Sequence, residues 1–160
     1  MFIRTGLVSF VCILMLGCAS SNNSGSLYSA EEMNAHWLKM NLKRAGVVAT
    51  DSGLQYKVIK QSTGCKPDPD YQVNVHYTML LARSKRVVDS SYQRGQPKKF
   101  KLSKTVDGWR EGVPMMRVGE TWELYIPPEL AYGSKGSPGS IPPDSVLISQ
   151  ITLIDARCQN

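Results

Sequence analysis

The 160 residues contain none of the short motifs that announce hydrolytic, redox or phosphate chemistry. There is no GxSxG, no HExxH, no CxxC and no phosphate-cradling glycine loop. Only two histidines occur, His36 and His76, in unrelated segments with no third ligand type clustered near either, so a metal centre has no support. The run of roughly 18 apolar residues that a spanning helix needs is missing as well. Charge is modest: 19 Lys and Arg against 13 Asp and Glu give +6, too small an excess to argue for nucleic acid. What is present is a chain 42% apolar, enough to build a core, whose length fits one domain with a short appendage.

The appendage reads as an address. Arg4 precedes an apolar run from Leu7 to Leu16, and Gly17 then meets Cys18. This is the layout of a signal peptide over residues 1–17. Met15-Leu16-Gly17-Cys18 is similar to a bacterial lipobox, which implies a lipidated Cys18 and a membrane anchor. Ordinary cleavage after Ala19 is the alternative. Residues 18–28 then form a small, polar tether, its ASSNNSGSL stretch reaching roughly 15–18 Å as a coil. A helix is expected over 29–46: Ser29 and Glu32 make a capping-box pattern, Ala30, Met33, Trp37 and Met40 recur at helical spacing, and Gly46 is a stop. The stripe is either an interaction surface or packs on the domain's own sheet.

From Leu54 the period changes to two. Leu54, Tyr56 and Val58, then Val73, Val75, Tyr77 and Met79, alternate with polar neighbours, and His76 falls on the exposed face. Short strands through Val87-Val88 and Phe100-Leu102 flank a polar bend. Val106, Trp109 and Val113 suit a helix stopped by Pro114, and strands through Trp122–Ile126 and 145–156 follow. Many strands around one short helix indicate an α+β sheet protein. Tyr77, Phe100, Trp109 and Tyr132, drawn from separate elements, either line an apolar pocket or form plain core.

The order of motifs is informative. SGLQYKVI (52–59), VNVHYT (73–78), DSSYQRGQP (89–97), GWREGVPMMRVGETWELYIPPELAYG (108–133) and IPPDSVL (141–147) closely resemble the FKBP-type peptidyl-prolyl isomerases, nearest the bacterial macrophage-infectivity-potentiator branch. The resemblance implies an isomerase domain over 47–160: an antiparallel sheet of five or six strands wrapped around one short helix. It implies no cofactor, proline-containing polypeptides as clients, and weak binding of macrolide inhibitors. By similarity Trp109 is the floor under the proline ring, Tyr132 offers its hydroxyl, and Tyr77, Phe100 and Ile141 are walls. Val106 supplies a backbone donor, and Asp89, held by Tyr77 or Arg94, polarises the site. The catalytic set is thus Tyr77, Asp89, Trp109 and Tyr132, with Val88, Arg94, Phe100, Val106, Ile141 and Ser149 binding substrate.

Several positions depart from the pattern. Val88 and Ser149 stand where aromatics are usual, Met79 replaces a common Gly, and segment 78–88 is one residue longer. A wider, wetter pocket is expected. Eight cations lie in 83–104 against only Asp89, either a plain solvated face or a selector of acidic clients or anionic envelope polymers. The dimerising arm of longer relatives has no equivalent between Cys18 and Gly53, so a monomer is expected.

The cysteines remaining after Cys12 and Cys18 are Cys65 and Cys158. Export would expose them to an oxidising compartment. In the resembling sheet the strands they follow end on the same edge, so a disulfide is expected, with two free thiols as the alternative. The whole reads as an envelope lipoprotein facing the periplasm from the outer membrane and isomerising proline bonds. The rivals are a non-catalytic binding module using the same groove, or an envelope structural protein. Replacing Cys18→Ser should abolish acyl labelling and release the protein from membranes; a wild-type N-terminus at unmodified Ser20 would contradict the anchor.

Overall fold

The computed structural model describes residues 28–158, so the expected signal peptide, Cys18 and most of the expected tether lie outside the described residues. Helix α1 spans Ala30–Asn41, and strands β1 (Val47–Ala49) and β2 (Gln55–Lys60) follow. Next come β3 (Gln72–Leu81), β4 (Val87–Ser90), β5 (Lys98–Lys101), helix α2 (Asp107–Gly112), β6 (Thr121–Ile126) and β7 (Leu147–Ala156). The sheet runs β1-β2-β6-β7-β3-β4, with β5 also pairing β3, and every ladder is antiparallel. The α+β sheet around a short helix is therefore as expected; the strand count is seven because short β1 adds to one edge.

β3 holds the sheet together. Its ten residues alternate buried Val73, Val75, Tyr77, Met79 and Leu81 with partly exposed neighbours, the period-two pattern of a strand with one face on the core. It pairs with β7, β4 and β5. Helix α2 lies against the same face and approaches β6 closely through two glycines one turn apart. A Cβ on Gly108 would come within 2.5 Å of Ile126, and one on Gly112 within 2.8 Å of Leu124. Larger residues there would lift the helix from the sheet, and with it Trp109.

α1 docks on the opposite side of the sheet. Its capping box is closed, the Glu32 backbone N–H donating to the Ser29 hydroxyl at 3.1 Å and the Ser29 N–H to the Glu32 carboxylate at 2.8 Å. The helix stops at Asn41, short of 46, and Gly46 turns the chain with φ +81°. The buried face is also not the expected apolar stripe. Asn34 and Asn41 are its buried residues, and Met40 is exposed. Asn41 donates to the Gln55 side chain at 2.9 Å, Gln55 to the Leu38 carbonyl at 3.1 Å, and Asn34 to the Asp144 carbonyl at 2.7 Å. Trp37 lies 6.1 Å from the Tyr125 ring, so the helix packs on the chain's own sheet. Buried amides need partners, and these three set the helix rotation that apolar spacing alone does not reveal.

His76 is half-buried, not exposed: it stacks on Tyr92 at 4.4 Å and its Nδ1 lies 2.9 Å from the Ser91 hydroxyl. At the sheet's far end Cys65 is joined to Cys158 by a disulfide, with Cα atoms 5.6 Å apart. Pro67 bridges Cys158, and the Asp68 N–H donates to the Arg157 carbonyl at 2.8 Å, which brings the two segments together. The bond closes a loop of 93 residues, worth about 4–5 kcal/mol in the chain-entropy limit. Cys158→Ser should lower the urea midpoint accordingly; full alkylation of both thiols in the unreduced, denatured protein would contradict the link.

Candidate functional site

α2, β3, β4, β5 and the loop between β6 and β7 enclose a cavity of about 600 Å³, within the range of small-ligand sites. Its floor is Trp109, 2% exposed, on the first turn of α2. Tyr77, Phe100 and Trp109 meet edge to face in a closed triangle, with centroids 5.5, 5.3 and 5.2 Å apart. Such contacts add about 0.5–1.5 kcal/mol each beyond area burial and fix ring orientation. The indole N–H of Trp109 donates to the Ser149 hydroxyl at 3.1 Å.

Tyr77 is held from both ends. Its N–H donates to the Ser91 hydroxyl at 2.8 Å, and its carbonyl accepts from the Ser91 N–H at 2.9 Å. Its hydroxyl donates to the Asp89 carboxylate and accepts from Arg94 at 2.8 Å, while Arg94 also forms an ion pair with Asp89. Burial first, and then the hydrogen bond to Asp89, push the Tyr77 hydroxyl up to about 12. Desolvation raises the Asp89 carboxyl, but the bonds from Tyr77 and Arg94 together outweigh it and hold Asp89 below its ordinary value. The carboxylate therefore stays charged at neutral pH.

The loop side is built by tight turns. Ser137 and Ile141 exchange both backbone bonds, each 2.8 Å, which folds Ile141 inward to 5% exposure. Tyr132 sits at the mouth, 39% exposed. β4 carries a bulge: Met79 pairs with Asp89 and Leu80 with Val87, leaving Val88 unpaired. Neighbouring strand residues ordinarily face opposite sides, yet Val88 and Asp89 both line the cavity, as a bulge permits.

Eight of the expected site residues line this cavity: Tyr77, Val88, Asp89, Phe100, Val106, Trp109, Tyr132 and Ile141. Two stand behind the wall. Arg94 braces Asp89, and Ser149 is fully buried beneath the Trp109 indole. Met79, Lys104, Thr105 and Asp107 line it too without having been expected there. Met79 falls directly opposite Ser149 across the β3–β7 ladder, which sets a long side chain beside the small one. Alternation along β3 placed Met79 on the Tyr77 face, and that was the available signal.

Residues 64–154 match the family model of the FKBP-type peptidyl-prolyl cis-trans isomerase, and residues 22–58 match the domain amino terminal to it. The chain belongs to the FKBP-type isomerase family. It is 44% identical over 119 residues to the FKBP-type 22 kDa peptidyl-prolyl cis-trans isomerase of Escherichia coli, covering 74% of this chain and 57% of that one. It is 40% identical over 131 residues to the outer membrane protein MIP of Legionella longbeachae, covering 80% and 56%. The crystal structure of FkpA from Escherichia coli superposes with a TM-score of 0.74 at 36% identity, covering 79% and 58%. This FKBP-type chain thus spans little more than half the length of each.

The family's cavity here depends on a protonated Tyr77 facing an ionised Asp89. Tyr125, buried and bonded to Glu123, is likewise pushed up to about 12. A phenol whose folded value is raised contributes stability that is complete below its unfolded value near 10 and is lost as pH climbs through about 12. In an absorbance titration the phenolate rise near pH 12 should therefore lose one of its two contributions in Tyr77→Phe. An unchanged late rise in that variant would contradict the Tyr77–Asp89 bond.

Proposed function

We propose that the protein catalyses cis-trans isomerisation of X-Pro bonds in polypeptide clients. One observation carries the reading: a cavity floored by buried Trp109 and walled by Tyr77, Phe100 and Ile141, with an ionised carboxylate fixed beside them. The barrier to X-Pro rotation is about 18–20 kcal/mol and comes from amide resonance. Resonance separates charge, leaving the planar carbonyl oxygen more negative than the twisted one. Aromatic walls and a fixed negative charge beside that oxygen raise the planar form more than the twisted form, which is differential binding of the transition state. No acid, base or nucleophile is required, and no histidine or cysteine is among the described residues lining the cavity.

In this reading the proline ring rests on Trp109 between Tyr77, Phe100 and Ile141. Tyr132 donates its hydroxyl to the substrate, the backbone at Val106 holds the carbonyl, and Asp89 supplies the field. Val88 and Met79 form the side wall. The organisation follows the sequence: signal peptide over 1–17, lipid anchor on Cys18, tether to 28, α1, and the isomerase domain. The outer membrane protein MIP among the relatives supports a place in the bacterial envelope, and the Cys65–Cys158 bond suits an oxidising compartment. Clients are then exported proteins reaching the domain at the outer membrane, where the protein works as a monomer.

In a protease-coupled proline-peptide assay the full-length protein should isomerise its substrate. Asp89→Ala and Tyr132→Phe should each lower kcat/KM about ten- to thirtyfold, or about 1–2 kcal/mol, with Tm little changed for the exposed Tyr132. Val88→Phe should raise it by restoring an aromatic wall. Unchanged kcat/KM in all three variants would show that this groove is not the catalytic site and leave it a binding role.

A further inference from the structure

Two residues that depart from the family pattern meet across one rung of the sheet. Met79 on β3 and Ser149 on β7 are Cα partners, so their side chains share a face with Cβ atoms about 4.5–5.5 Å apart. Ser149 is fully buried, and its hydroxyl is taken up by the Trp109 indole N–H. Met79 is 8% exposed and borders the cavity beside Tyr77 and Trp109. The small residue anchors the floor from below, and the long one supplies the wall above it. The rung next to it holds the bulge that turns Val88 inward, so Met79 and Val88 share that wall.

We propose that Met79 is a specificity-determining residue, and that its size is coupled to the smallness of Ser149. This rests on the isomerase reading and names the part of the site that selects the residue before proline. An unbranched thioether with three rotatable bonds adapts its shape to what lies against it. A wall made of Met79 and Val88 therefore accommodates side chains of different bulk more evenly than a flat ring would. Ser149 serves as a positioning residue: it touches no substrate, leaves room for Met79, and fixes the tilt of Trp109.

The test is a double-mutant cycle in the full-length protein with Met79→Gly, Ser149→Phe and the pair together, assayed on Ala-Xaa-Pro-Phe peptides with Xaa as Ala, Leu or Phe. Ser149→Phe alone should lose at least about tenfold in kcat/KM on every peptide, because the new ring meets Met79 and Trp109 loses its acceptor. The pair should recover to within about threefold of wild type. Met79→Gly alone should change the Leu-to-Ala preference at least about fivefold. In Ser149→Ala, which removes the acceptor without adding bulk, the Trp109 indole N–H resonance should move upfield. Additive losses in the pair, or an equal change on all three peptides in Met79→Gly, would overturn the proposal. Should the wild type show no turnover, the isomerase reading fails separately. The coupling is then read from Tm, where recovery in the pair supports contact and its absence refutes it.

Discussion

Tyr77 is the point through which the site is assembled. Its backbone is clamped by Ser91 just beyond β4, its ring edge meets Phe100 of β5 and Trp109 of α2, and its hydroxyl joins Asp89 to Arg94. Four elements are thus brought to one side chain. Because the phenol sits between a carboxylate and a guanidinium, the charge in the wall stays ionised without being loose. The aromatic triangle then has a fixed edge to rest on.

The remaining scaffold keeps that point in register. β3 offers Tyr77 by its alternation, while the glycines of α2 let the helix sit low enough for Trp109 to reach the triangle. On the other face, α1 is secured by amide hydrogen bonds and by Trp37 against Tyr125. The Cys65–Cys158 bond ties the crossing segment to the tail of β7 at the end of the sheet away from the cavity loop. The mouth is left to the turns that carry Tyr132 and Ile141.

Much of this was legible in the sequence, and for a physical reason. Period-two alternation at 73–79 requires a strand with one face buried, and the collinear motifs from 52 to 147 carry family geometry with them. Eight of the residues named for the site line one cavity. What escaped were choices made by tertiary partners. α1 rotated to satisfy Asn34 and Asn41, a demand invisible to a reading of apolar spacing. His76 found Ser91 and Tyr92 on the face that alternation marks as outward. Ser149 looked like a hole because its partner is defined only by strand register, and register placed Met79 beside it.

The central claim is that the cavity over Trp109 receives a proline residue. Backbone and indole amide resonances followed during titration with a proline-containing tetrapeptide test it most directly. The account predicts that the largest shifts fall on the Trp109 indole N–H and on the amides of Val106, Asp89 and Tyr132, with none at α1. Shifts confined to α1 or to the lysines of β5, with the Trp109 indole unmoved, would contradict it.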